Sequence, residues 1–181
     1  MPLEEKYGSE PLSLLIVGHN PSGHSWETGH YFSQPTNSFW RLIKESGLCT
    51  MKIDLNDDYM VANLGIGFTD VIRVPNSDSG AFFKKDYVEQ ATLFYKRIKD
   101  NAIRVGGPPE RLAFIGKKQF SMLFDSPLRK VELGLQEQKP EDFPFECEIW
   151  VLSTPSGRSP MKWEHRLKPY KELALSMQSA F

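Results

Sequence analysis

The chain has 181 residues, 40% of them hydrophobic and 25% charged, with a formal net charge of −1 at pH 7. That length holds one domain with a sizeable core, and the near-neutral balance excludes a global electrostatic field for nucleic acid or membranes, so a DNA binder of this composition relies on a local basic face. Only Cys49 and Cys147 are present, outside any metal-type spacing, which excludes a disulfide framework and favours a reducing compartment.

The first ten residues, MPLEEKYGSE, are short and acidic and do not read as a signal or transit peptide. They are expected to form a loosely ordered tail of a single domain spanning residues 1–181. No apolar run approaches membrane-spanning length. The expectation is a soluble intracellular protein, cytoplasmic in a prokaryote or nuclear in a eukaryote, acting as a monomer.

The continuous apolar run Leu12–Val17 predicts a buried parallel strand closed by Gly18. Thr36 or Asn37 can cap a helix running to Gly47, with Phe39, Trp40, Leu42, Ile43 and Ser46 at near-helical spacing. Asn56–Asn63 predicts a short helix with acidic residues in its first turn. Gly67–Val74 predicts a second strand and Pro75–Gly80 a loop. Lys84–Val105 is the longest helical segment, with Tyr87, Ala91, Phe94 and Ile98 on one face, and Gly106–Pro109 ends it. Arg111–Ile115 predicts a third strand, and Gly116 opens a helix to about Phe124. Ser126–Phe145, with Pro127, Pro140 and Pro144, predicts an irregular excursion holding at most short strands. Glu148–Leu152 predicts a fourth strand. A helix follows from about Trp163, kinked or restarted at Pro169. Strands separated by helices imply parallel βαβ units, hence a three-layer α/β/α sandwich on a mainly parallel, roughly four-stranded sheet.

In that topology the loops leaving the first and last strands, Gly18–Pro35 and Ser153–Pro160, emerge at the same carboxyl edge and are candidates for one cleft. The first is rich in Gly, Asn, Pro, Ser, His and aromatics, the composition of a small-molecule pocket. Its histidines, His19, His24 and His30, lie within twelve residues of one another. Cysteine is missing from the loop and Glu27 is its only carboxylate, so no metal is expected there, and nothing in the sequence implies another cofactor.

These residues carry a resemblance. Gly18, Asn20, Pro21, Thr28, Gly29, Phe32, Pro35, Asn37, Phe39 and Trp40 fall without a gap on a pattern G-I-N-P-G…T-G…F…P-x-N-x-F-W. That pattern is motif A of the mismatch-specific uracil-DNA and thymine-DNA glycosylases, within the uracil-DNA glycosylase superfamily. Three later blocks, Gly65–Ile72, Phe114–Lys117 and Ser153–Ser159, resemble family blocks in the same order. The resemblance implies a monofunctional glycosylase of base-excision repair. Such an enzyme flips a uracil, thymine or related deaminated base out of double-stranded DNA, opposite guanine, and leaves an abasic site.

Carried over by position, the resemblance makes Asn20 the catalytic amide that orients water. Gly18, His19, Pro21, Ser22, Phe32 and Asp70 become base-binding residues, with Phe32 stacking on the flipped base. Thr154, Ser156, Gly157, Arg158 and Ser159 become the loop that fills the vacated stack, with Arg158 as its wedge. Lys117 and Lys162 are candidate phosphate contacts, and Lys118, Arg166 and Lys168 could extend a local basic face. Asn20 and Thr154 stand where the fastest uracil-specific relatives carry Asp and His, which points to the mismatch-specific branch.

His19 replaces the usual Ile and is expected to contribute its backbone. Ser22 replaces Gly, and its hydroxyl could narrow the pocket. Asp70 replaces the Asn that contacts the base in the thymine branch, or else it caps a turn or pairs with Arg73. Three alternatives stand beside this reading: a glycosylase for a deaminated purine such as hypoxanthine, a DNA-binding module that recognises damage without cutting, against which Asn20 argues, and an unrelated α/β enzyme acting on free nucleotides, against which the wedge-like loop around Arg158 argues.

Overall fold

The computed structural model describes residues 2–50, 55–75 and 78–178. Its order is β1 (Leu14–Gly18), α1 (Gly23–Thr28), α2 (Phe39–Ser46), α3 (Asp57–Leu64), β2 (Ile66–Asp70), α4 (Lys84–Val105), β3 (Arg111–Ile115), α5 (Lys117–Met122), β4 (Gly134–Leu135), β5 (Glu148–Leu152) and α6 (Trp163–Gln178). The sheet runs β2-β1-β3-β5-β4. The first four strands in that order pair in parallel, and β4 pairs antiparallel with β5.

Strand alternation explains the three layers. Leu15 and Val17, Leu112 and Phe114, and Ile149 and Val151 enter one core, against Tyr87, Phe94 and Ile98 of α4 and Phe120 of α5. Their neighbours Leu14, Ile16, Ala113, Ile115, Trp150 and Leu152 enter the other. There they meet Phe39, Leu42 and Ile43 of α2, Met60 of α3 and Leu167, Tyr170 and Leu173 of α6. A strand buried on both faces must be apolar at every position, which is why these runs do not alternate with polar residues. This is the expected α/β/α sandwich, with one strand more than expected.

The extra strand, β4, lies within the irregular excursion. Two residues carry no pattern of their own, and β4 exists only because Gly134 and Leu135 meet Val151 and Trp150. The amino terminus also departs from expectation. Leu3 and Tyr7 are buried, and Lys6 bridges Phe68 through backbone hydrogen bonds of 2.9 and 2.8 Å. Residues 2–10 are therefore no loose tail where they cover β2, because that edge strand would otherwise expose unpaired N–H and C=O groups. Within the opening loop, Gly23–Thr28 is helical. Ser22 Oγ accepts from Ser25 N at 3.1 Å, and Gly29 closes the turn at φ 76°. The second strand ends four residues earlier than expected, although Val71 and Ile72 still donate to Gly18 O and His19 O. Asn76 and Ser77, within the expected loop Pro75–Gly80, lie outside the described residues. The last helix runs through Pro169.

Connections leave β1 and β3 toward opposite edges of the sheet, so a crevice opens outside their carboxyl ends. Open α/β sheets bind ligands at that place.

Candidate active site

The crevice holds a cavity of about 220 Å³. Drug-sized pockets occupy roughly 300–1,000 Å³, so this one suits a single flat ring system better than a whole nucleotide. Its wall combines His19, Asn20, Pro21 and Ser22 after β1, Phe32, Asp70 at the end of β2, Ile115 at the end of β3, and Thr154, Pro155 and Ser156 after β5. The loops leaving the first and last strands thus share one cleft, as their parallel topology implied. Ser38 N donates to Pro155 O at 2.8 Å, which ties the two segments together. A larger cavity of about 800 Å³ lies elsewhere, rimmed by Glu4, Glu5, Glu27 and Asp58. Its rim, which also holds Lys6 and Arg104, touches none of the residues just named.

At the end of β1, Asn20 is held by its amide. Nδ2 donates to Val74 O at 3.1 Å, and Oδ1 lies 2.6 Å from His19 Nδ1. The His19 side chain, expected to be incidental, therefore touches the candidate catalytic amide. Its backbone is engaged as well, since His19 O accepts from Ile72 N at 2.9 Å. Burial lowers the pKa of the ring, so it is neutral at pH 7.

Gly18 is required by close approach. It stands in register with Asp70, and a β-carbon on it would overlap Asp70 Oδ1. Asp70 itself is 2% exposed, and its Oδ2 accepts from Arg73 Nη1 at 3.1 Å. Burial is the largest influence and pushes its carboxyl up to about 7, against the pull of Arg73 and Arg97. Both sequence-based expectations for Asp70 meet here, because it pairs with Arg73 and also lines the cavity. Arg73 is further held by Tyr31 Oη at 2.8 Å and by Leu3 O.

Phe32 is the only described non-glycine residue with positive φ, at 54°. A bulky side chain in the left-handed region costs of order 1–3 kcal/mol. It persists because its surroundings dictate it. The ring stacks on Phe39 with centroids 4.0 Å apart and planes 23° apart. Upstream, buried Asp57 at the start of α3 accepts from Tyr31 N and pairs with His30 Nδ1, both at 2.7 Å, and Lys6 Nζ lies 3.0 Å away. A carboxylate at a helix amino terminus is itself favoured.

The three loop histidines do not converge. His19 meets Asn20 and Tyr87, His24 meets Ser33, and His30 meets Asp57. His30, Asp57 and Asp58 lie close enough to share an ion, but the Lys6 ammonium already sits against both carboxylates. Ser22 lines the cavity, and its hydroxyl serves as the α1 cap.

In the second loop, Thr154 and Ser156 reach the cavity, while Gly157, Arg158 and Ser159 stand outside it. Arg158 and Gly157 are exposed. A β-carbon on Gly157 would lie 2.7 Å from Thr36 O, so only glycine fits this junction. Arg166, assigned from the sequence to a basic face, is instead buried. Its Nη2 donates to Thr154 O and Ser156 O, each at 3.2 Å, bracing the loop from beneath. Lys117 and Lys162 are exposed and do not line the cavity; Lys117 borders a separate depression with Glu132 and His165.

Tyr87, Arg166 and Leu3 were missed as site residues. In the sequence Tyr87 carries only the signature of a core residue, Leu3 that of a polar tail, and Arg166 that of a solvated helix face.

A mainly parallel α/β sheet thus carries a small cavity at its switch point, with a fixed amide in its wall. The family model described as the Uracil DNA glycosylase superfamily matches residues 5–176, and the chain belongs to that superfamily. Membership supports DNA glycosylase activity, the hydrolytic removal of a base from DNA during base-excision repair. Among the described residues, no helix is long and apolar enough to cross a membrane.

Proposed function

We propose that the chain is a monofunctional DNA glycosylase that excises uracil, thymine or a related deaminated base opposite guanine. The observation that carries this reading is the Asn20 amide, fixed in the wall of a cavity of about 220 Å³ that is also lined by Phe32 in a strained conformation. Strained backbone persists where the surroundings hold a side chain for a purpose, and here the held ring offers a stacking surface.

In the reaction, water attacks the sugar C1′ while the C1′–N bond breaks. The base departs with the bonding electron pair and acquires a proton, leaving an abasic site. An amide is too weak a base to deprotonate water fully, so Asn20 contributes by placing the nucleophile. Backbone N–H groups of the turn after Pro21 are the candidates for stabilising the departing anion. Thr154, Ser156, Gly157, Arg158 and Ser159 would occupy the space left by the flipped nucleotide, with Arg158 entering the stack. Lys162, three residues further on, and Lys117 on α5 would meet phosphates.

Asp70 also fits a second reading of the base. With a carboxyl raised to about 7, it offers both an acceptor and a donor near neutrality. It can therefore meet an N–H and carbonyl pair such as hypoxanthine presents, as well as that of uracil.

The test is incubation with duplexes carrying one uracil, thymine, hypoxanthine or ethenocytosine opposite guanine, followed by alkaline cleavage at abasic sites. Pyrimidine release supports the first reading, and release of hypoxanthine alone selects the second. Binding without release from any duplex would reduce the protein to a damage-recognising module.

A further inference from the structure

We infer that His19 and Tyr87 form a positioning pair that sets the orientation of the Asn20 amide; the inference rests on the glycosylase reading above. The hydrogen-bond directions follow from elimination. Val74 O only accepts, and it lies 3.1 Å from the Asn20 amide, so the atom facing it is Nδ2. The amide oxygen then faces His19 Nδ1 at 2.6 Å, and because a carbonyl cannot donate, Nδ1 carries the hydrogen. The ring has one N–H at pH 7, since burial lowers its pKa; Lys118 also lowers it, while the Asn20 bond and Asp78 raise it.

Nε2 is therefore an acceptor, and its partner at 2.5 Å, Tyr87 Oη, must donate. Burial, with Asp86 nearby, raises the pKa of Tyr87, so the phenol keeps the proton it donates.

The result is a chain of donors pointing one way: Tyr87 Oη to His19 Nε2, His19 Nδ1 to Asn20 Oδ1, Asn20 Nδ2 to Val74 O. Bonds aligned in this sense polarise one another. The far end is rigid. Tyr87 is fully buried in the first turns of α4, and Phe82 covers the imidazole with ring centroids 5.5 Å apart. The pair thus ties the candidate catalytic loop to a helix 68 positions further along the chain. A site that places its water with an amide depends on geometry for its rate, so an amide free to rotate about its last torsion would be a poor guide for water. An aliphatic residue at position 19 has no donor with which to make this link.

The variants are Tyr87→Phe, His19→Ile, His19→Asn and the double variant Tyr87→Phe/His19→Ile. Each is measured for single-turnover release of uracil opposite guanine, duplex affinity and thermal melting. Long-range proton–nitrogen NMR on the imidazoles reports the tautomer. Release should slow about tenfold in Tyr87→Phe and about 100-fold in His19→Ile, with duplex Kd changed by less than about twofold. His19→Asn, whose Nδ2 can take the place of Nδ1, should recover part of the loss. Adding Tyr87→Phe to His19→Ile should cost nothing further, because the hydroxyl acts only through the ring. In the unaltered protein the NMR should show Nδ1 protonated and Nε2 bare, a preference that weakens in Tyr87→Phe.

Wild-type rates in both single variants, additive losses, or a proton on Nε2 would overturn the inference. The tautomer needs no turnover. A protein that released no base would sink the glycosylase reading, and the NMR result would still decide the hydrogen-bond chain.

Discussion

The two loops that build the cavity are held in opposite ways. The loop after β1 is fixed largely through its side chains: Asn20 to Val74 and His19, His19 to Tyr87, Ser22 to the start of α1, and His30 to the buried Asp57, which also accepts from Tyr31 N. The loop after β5 is fixed mainly through its backbone. Arg166 grips Thr154 O and Ser156 O, Ser38 N grips Pro155 O, and the Arg158 side chain is left at the surface. Groups that touch a reacting centre gain from being immobile before substrate arrives, whereas a side chain that must enter a DNA stack has to be free to do so. Rigidity is distributed by task, and a substitution should act according to which loop it touches.

The largest effect is expected at the floor of the first loop. Gly18→Ala drives a β-carbon into the Asp70 carboxylate, and overpacking of this kind costs about 1–3 kcal/mol. For a chain of this size that corresponds to a melting temperature lower by roughly 2–12 °C, with base release lost alongside. An unchanged melting temperature would mean that the floor is softer than its packing suggests.

Asp70→Asn comes next and separates structure from specificity. A carboxyl whose pKa rises from 3.8 to about 7 on folding contributes stability that is fully present below pH 3.8 and is lost as pH climbs through 7. The asparagine variant should lack that slope in melting temperature between pH 4 and 7. Its base preference should also move toward thymine and uracil. A retained slope would place the titration on another group, and an unaltered substrate profile would leave Asp70 as the partner of Arg73 alone.

In the second loop, Arg166→Met keeps much of the buried stem and removes the brace. Duplex affinity should fall by about tenfold as the loop loosens, and melting should drop as well, because two charge-assisted hydrogen bonds of the buried Arg166 are lost. The smallest effect belongs to Arg158→Ala. It should leave folding untouched and weaken duplex binding and flipping more than the chemical step, with the salt dependence of binding reduced by about one contact. A loss confined to the chemical step in either variant would break the division of labour between the loops.

What could be read without a structure follows the same physics. Segments whose pattern arises from their own burial were legible: α4, β3 and β5 begin and end where the sequence placed them, and α2 buries Phe39, Leu42, Ile43 and Ser46 at helical spacing. Segments that depend on a distant partner were not. Gly23–Thr28 has no apolar period and is helical through the Ser22 cap, and Gly134–Leu135 is a strand only beside β5. Leu3 looked like part of a polar tail because β2, which it covers, lies more than sixty residues away. The same holds inside the cavity. Asn20, Phe32 and Asp70 are named because they fall on positions of the resemblance, and all three line it. His19 was expected to work through its backbone, since nothing local shows that Tyr87 waits at its far nitrogen. Arg166, which sits among other basic residues in the sequence, looked like part of a charged face until its contacts with the second loop were visible.

The most direct test of the account is single-turnover release of uracil opposite guanine by the unaltered protein and by Asn20→Ala, measured beside duplex affinity. Removing the water-placing amide should slow release by about 100- to 1,000-fold while duplex Kd stays within about threefold. Equal release rates for the two proteins would contradict the assignment of Asn20 and, with it, the reading of the cavity as a site of base excision.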